Sequence, residues 1–221
     1  MNRAEIKNLA KEKIKGNLLN LLWPIIVISI VGSIPSMIVG DSESILALII
    51  VLAASFVTSI FSVSYVAYLL EFVRTGTSTF NTIIECVKKN WLRILLVSIL
   101  VGVFTFLWTL LFIIPGIVAA LSYSMATYLI VDTDLDANDA IKESKRMMKG
   151  YKWDYFVFGL SFIGWIILVP LTFGILYIWL LPYMYVSMAI YYEKLKAKAN
   201  GKIENATNVV AQPEAVVVEE K

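Results

Sequence analysis

Histidine is absent from this sequence, and cysteine occurs once, at Cys86. The first absence removes the commonest general base and the commonest transition-metal ligand. The second excludes an internal disulfide and a thiolate metal cluster. Charge is also scarce: Asp, Glu, Lys and Arg together make up 16% of 221 residues, with a net charge of +2. No Lys/Arg cluster stands above ordinary loop density, so nucleic acid is not an expected partner. No Gly-rich phosphate loop, nucleophile elbow or paired-acid arrangement occurs. What the chain has instead is apolar length. Hydrophobic residues reach 59%, more than a water-soluble domain can cover, so lipid must act as part of the solvent.

Two uncharged stretches, Leu18 to Gly40 and Ser44 to Leu70, flank Asp41 and Glu43. Each can cross a hydrocarbon core of about 30 Å. The first is too long for a secretory signal core, and Pro35-Ser36-Met37 offers no small-residue cleavage site, so it reads as a retained helix. Two further runs, Ile94 to Val131 and Tyr155 to Tyr192, hold 38 residues each without a charge. As one straight helix, either would measure about 57 Å, nearly twice the core. Each therefore folds back. Pro115-Gly116 marks the expected turn of one, and Pro170 and Gly174 bracket that of the other. Pro182 is expected to kink the returning helix, and the resulting helices to be about 15–21 residues long.

Charge sets the orientation. Segments 1–17, 71–93, 132–154 and 193–221 hold 5, 4, 5 and 5 basic residues, which accounts for all 19. The positive-inside rule then places all four on the cytoplasmic side of a bacterial cell membrane. The expected fold is all-α, a polytopic membrane protein of six transmembrane helices in three hairpins, both termini cytoplasmic. Residues 1–17 form a basic amphipathic helix and 18–70 the first hairpin. An amphipathic segment, 71–93, leads to the second hairpin, 94–131. A second amphipathic helix, 132–154, leads to the third hairpin, 155–192. Residues 193–221 are expected to be a largely disordered tail, low in aromatics. Its Asn205-Ala206-Thr207 fits a glycosylation acceptor but would stay unmodified in the cytoplasm.

Three times a basic segment ends in Lys near Gly or Asn and then enters an apolar run: Lys15-Gly16-Asn17, Lys88-Lys89-Asn90-Trp91 and Lys149-Gly150-Tyr151-Lys152-Trp153. Trp91 and Trp153 suit an interfacial aromatic belt. The stretch from Ala140 to Trp153, then Leu160-Ser161-Phe162-Ile163-Gly164-Trp165, resembles a bacterial membrane family known as domain of unknown function 975. So do Leu171-Thr172-Phe173-Gly174-Ile175, Trp179-Leu180-Leu181-Pro182-Tyr183 and Ile114-Pro115-Gly116-Ile117, with Asp132 further on. The resemblance covers about residues 3–195. More distantly, the layout is similar to membrane regions attached to some glycerophosphodiester phosphodiesterases. The resemblance implies a multi-pass membrane protein and supplies no catalytic residues.

Several features compete for a sharper role. Asp132, Asp134, Asp136, Asn138 and Glu143 fit calcium-loop spacing, yet Ala137 stands where that loop needs glycine. A helix start capped by acidic residues is the better account. Ser55, Thr58, Ser59 and Ser62 form a hydroxyl stripe, and Ser98 and Gly102 repeat the small-residue spacing; close packing with interhelical hydrogen bonds is favoured over a solute path. Glu71 and Arg74 read as interfacial anchors, and Cys86 as partly buried. No ionisable residue lies inside an expected span, which argues against ion-coupled transport. No catalytic, cofactor-binding or metal-binding residue is assigned, no cofactor is expected, and enzyme activity is not expected. Two functions are carried forward. One is a non-enzymatic component organising lipids, through anionic headgroups, or a membrane-protein partner or second copy. The alternative is a small permease or export accessory for a neutral or lipid-like substrate.

Overall fold

The computed structural model describes residues 2–40 and 44–201; Asp41, Glu43 and the tail with Asn205 lie outside the described residues. Ten helices follow one another there: α1 (Arg3–Ile14), α2 (Leu18–Val39), α3 (Ile45–Thr75), α4 (Phe80–Leu111), α5 (Ile113–Tyr123), α6 (Ala126–Asp132), α7 (Ala137–Met147), α8 (Lys152–Leu160), α9 (Ile163–Leu171) and α10 (Ile175–Ala199). Six helical stretches are long and apolar enough to cross a membrane. They are α2, α3, α4, α5 with α6, α8 with α9, and α10. Consecutive helices are spatial neighbours: α2 packs on α3, α4 on α5, and α9 on α10.

The segment 71–93, expected as a cytoplasmic amphipathic segment, is divided between two long helices. It is not a separate helix, because α3 runs on to Thr75, stops where Gly76 takes a left-handed φ of 82°, and α4 resumes at Phe80. At 31 and 32 residues, α3 and α4 measure about 46 and 48 Å. They are longer than expected because the helical ladder continues past the apolar boundary into charged sequence. Likewise α10 continues through residues 193–199, which were expected to belong to the tail.

The turn in the second apolar run also shifts. It falls at Phe112, which is extended (φ −158°, ψ 145°), while Pro115 and Gly116 lie in the first turn of α5. Proline is tolerated there because the first helical N–H groups have no intrahelical acceptor. Gly116 serves packing instead: a Cβ at this position would sit 2.8 Å from the Thr109 Cα and closer still to its Oγ1. The turn between α9 and α10 lies between Pro170 and Gly174 as expected, with the Gly174 N–H donating to the Val169 carbonyl at 2.9 Å. That bond closes a Schellman-type end with Phe173 at φ 51°, a left-handed conformation normally given to glycine or asparagine.

Pro24 shows how the bundle repairs its own breakers. Proline has no N–H, so the carbonyl of Asn20 loses its helical partner. The Tyr68 hydroxyl donates to that carbonyl at 2.6 Å, and the Tyr65 hydroxyl donates to the neighbouring Leu21 carbonyl at 2.9 Å. Helix α3 thus supplies the donor that Pro24 lacks. Gly32 marks a second close approach of the same pair, since a Cβ there would meet Thr58 Cγ2 at 2.9 Å.

The packed core is confined to one half of the bundle. Buried residues cluster in 64–73 of α3, 83–97 of α4, 119–130 of α5 and α6, and 180–195 of α10, all near the charged ends. The remaining halves expose Ile30, Leu48, Leu107, Ile114 and Ile167 to the surroundings. Apolar surface of that extent fits contact with hydrocarbon rather than water.

Candidate functional site at the charged end of the bundle

At the charged end, the last turns of α3, α6 and α10 converge on one buried carboxylate. Asp132, with a side chain only 4% exposed, takes Arg74 Nη2 at 2.5 Å on Oδ1. Its Oδ2 accepts the Tyr192 hydroxyl at 2.7 Å and the Lys196 ammonium. Arg74 Nε also donates to Glu193 Oε1 at 2.9 Å. Two cations and two carboxylates balance, and each Asp132 oxygen is satisfied, which is what a desolvated ion cluster requires. The cluster takes Arg74 from the first apolar region, Asp132 from the second, and Tyr192, Glu193 and Lys196 from the third. Arg74, expected to be an interfacial anchor, is instead a strut between helices. A signal existed in the sequence: Asp132 and Glu193 are the first charged residues after the two 38-residue runs.

A second set of contacts pins α1 onto α8 and α10. Ile6, Ala10 and Ile14 are buried, Arg3 meets Asp154 at 3.4 Å, and Glu5 meets Lys194 at 2.5 Å. Tyr191 donates to Asp154 at 3.1 Å. Lys7 donates to the Ser161 carbonyl at 3.1 Å and lies 4.4 Å from the Phe162 ring centroid. Burial, with help from Lys11, pulls its amine below the usual lysine range. The N-terminal helix is therefore packed into the bundle, and Lys7 is occupied internally.

The Asp132–Glu143 segment is divided among separate partners. Asp132 belongs to the ion cluster. Asp134 is exposed and lies 3.3 Å from Lys89, which with Arg93 holds its carboxyl below the usual range. Asp136 caps α7 by accepting the Asp139 N–H at 2.9 Å. Asp139 pairs with Lys142, and Glu143 pairs with Arg146 at 2.5 Å. Among the described residues no group of three His, Cys, Asp or Glu converges to hold a metal ion. Helix capping is the role the geometry gives this segment.

Helix α7 is docked by Ser144, which is fully buried. The helix is interrupted between α5 and α6, and Ser144 satisfies buried backbone groups there. Its hydroxyl donates to the Ser122 carbonyl at 2.7 Å and accepts the Met125 N–H at 3.2 Å. This fixes the level of the basic residues that follow. Every described carboxylate from Asp132 to Glu193 is engaged, by an ion pair or as a cap. Lys145, Lys149 and Lys152 are left without a carboxylate partner among the described residues. The sequence places Lys149 and Lys152 at a basic junction but does not show that these lysines lack carboxylate partners. Their isolation depends on which acids are consumed elsewhere.

The hydroxyl stripe meets the expectation of close packing at Thr58, against Gly32 of α2, but not that of interhelical hydrogen bonds. Ser55 and Thr58 donate to carbonyls of their own helix, Val51 and Ala54, at 2.8 and 2.9 Å, rather than to a partner helix. Gly102 does not mark a close approach, as a Cβ there would meet nothing within 4 Å. Cys86 is buried, as part of the α4 face that includes Ile83. Glu71 accepts a hydrogen bond from Thr82, joining the end of α3 to the start of α4.

A family model described as a protein of unknown function (DUF975) matches residues 1–122 and 110–199. Comparison with curated proteins and with solved structures finds no match.

Proposed function

The chain belongs to the DUF975 family of proteins of unknown function, and from that premise we propose that it is a non-enzymatic multi-pass membrane component that organises anionic lipids. In this reading it sits in a bacterial cell membrane with both termini and all described basic residues on the cytoplasmic side. The observation that carries the reading is the unequal fate of charge at the basic end. The carboxylates from Asp132 to Glu193 are each engaged by an ion pair or as a helix cap, while Lys145, Lys149 and Lys152 remain available. Each lysine held near an anionic surface contributes about 1 kcal/mol. The exposed apolar halves of the helices keep the protein in contact with the same lipids.

Native mass spectrometry of protein extracted from mixed phosphatidylglycerol and phosphatidylcholine bilayers tests this. Enrichment of the anionic lipid on the protein over its bulk fraction is expected. Equal retention of the two would refute the reading. Movement of a neutral solute into proteoliposomes faster than into empty vesicles would replace it with a permease.

A further inference from the structure

We propose that the groove between α4, α5 and the α7–α8 connection binds one anionic phospholipid, with its phosphodiester on Lys145, Lys149 and Lys152 and an acyl chain along Val118 and Trp108. This deepens the lipid-organising reading and rests on it. The groove is open, has a volume of about 400 Å³, and is lined by Lys145, Lys149 and Lys152 together with Tyr123, Val118 and Trp108. That volume lies within the range of small-molecule sites. At the polar end, Lys145 Nζ lies 5.2 Å from the Tyr123 ring centroid. Ser144, anchored to the break after α5, holds Lys145 at this level. Lys149 follows one turn later. Gly150, in a left-handed conformation at φ 86°, reverses the chain so that Lys152 opens α8 beside it.

From Tyr123 the groove runs down α5 past Val118 to Trp108 of α4. Helix α5 has 11 residues, about 16 Å, the length of roughly half a bilayer core. A headgroup at the lysines would therefore leave its chain alongside Val118 and Trp108, both of which are exposed. Polar and apolar ends in that order match a phospholipid, with positive charge where the phosphodiester would lie and apolar surface where the chain would. A soluble anion would use only the first.

The test compares the full chain with Lys149→Ala/Lys152→Ala and with Val118→Trp, each reconstituted in nanodiscs of phosphatidylglycerol and phosphatidylcholine. Native mass spectrometry after detergent extraction counts retained lipid, inorganic phosphate is offered as a separate ligand, and thermal unfolding verifies that each variant is folded. The altered lysines are not fully buried and make no ion pair among the described residues, so the folded state should persist. The wild type is expected to hold one phosphatidylglycerol. The double lysine variant should bind it on the order of thirtyfold more weakly, from the roughly fivefold that each lysine near an anionic surface is worth. Val118→Trp should lose the lipid with its lysines intact. Unchanged retention in both variants overturns this site but leaves the lipid-organising reading standing. Absence of phosphatidylglycerol enrichment in the wild type overturns both. Phosphate binding as tight as lipid binding assigns the lysines to a free anion and overturns the proposal.

Discussion

Replacing Asp132 by Asn tests whether the ion cluster holds the charged end together. The substitution keeps the side-chain shape and removes the charge. Asp132 is nearly fully buried and accepts from Arg74, Tyr192 and Lys196. With Asn, the amide must turn an NH₂ toward one of these donors, so charge-assisted bonds on that side are lost. Breaking a buried pair by removing one member costs about 3–5 kcal/mol. Arg74 keeps Glu193 at 2.7 Å and is itself 37% exposed, which places the expected loss at the low end, about 3 kcal/mol. For a chain of this size that corresponds to a fall in Tm of about 6–12 °C. Thermal unfolding in nanodiscs, followed by tryptophan emission, measures it. Lys142→Ala is the control, because its pair with Asp139 is exposed on both sides and is expected to be worth no more than about 0.5 kcal/mol. A double-mutant cycle of Asp132→Asn with Arg74→Gln should return a coupling above about 1 kcal/mol. If Asp132→Asn unfolds within a degree of the wild type, the cluster does not join the helices and the argument for its role fails.

The other predictions concern close approaches and orphaned backbone. Gly116→Ala should lower stability by about 1–3 kcal/mol, because the new Cβ meets the Thr109 backbone as well as its side chain; Thr109→Ala should rescue it only in part. Gly102→Ala, facing open space, should instead be neutral or stabilise by up to about 1 kcal/mol through helix propensity, and a loss of stability there would show an unseen neighbour. Tyr68→Phe should cost about 1–2 kcal/mol by leaving the Asn20 carbonyl without its donor; in a Pro24→Ala background, where the helical N–H returns, most of that cost should vanish. An impermeant maleimide should label Cys86 slowly in the folded protein because the thiol is buried, whereas Asn138→Cys in a Cys86→Ser background should label fast. Fast labelling of that variant in sealed cells would contradict a cytoplasmic basic face.

The six span-length stretches were legible in the sequence because each contains a long uncharged run, and a bilayer admits few other ways to satisfy such a backbone. Their ends were less legible. Pro115-Gly116 looked like a turn because proline and glycine each break helices, yet one is harmless in a first turn and the other is needed for the approach of Thr109. Segment 71–93 reads as amphipathic because its charges end the apolar pattern, but charge does not stop a helix, and the ladder is interrupted only between Gly76 and Thr79. The ion cluster was half visible. Charges at the ends of apolar runs could be seen, but pairing Arg74 with Asp132 needs the spatial order of helices 58 residues apart in the chain. The unpaired lysines were the least visible of all, since an unpaired lysine is defined by where every nearby acid has gone.

The distribution of packing bears directly on what the free lysines face. Tyr65, Tyr68, Leu69 and Val73 of α3 are buried, while Leu46, Leu48, Ile49 and Leu52 of the same helix are exposed. The same change occurs along α10, from exposed Ile175 and Ile178 to buried Tyr183, Val186 and Ile190. One helix thus passes from protein-packed to bare within its own length. The ion cluster, the Tyr68 and Tyr65 bonds and the Ser144 dock all lie in the packed half, where they specify a single arrangement. In the bare half, side chains of similar size face outward, and the contacts that complete them must come from lipid or from another chain. The lysines of the α7–α8 connection stand beside Tyr123, where α5 passes from packed to bare. On the proposed lipid reading, positive charges at that border would meet headgroups whose chains cover the uncovered helices, so that recognition of the headgroup and completion of the fold would act on the same lipid molecules.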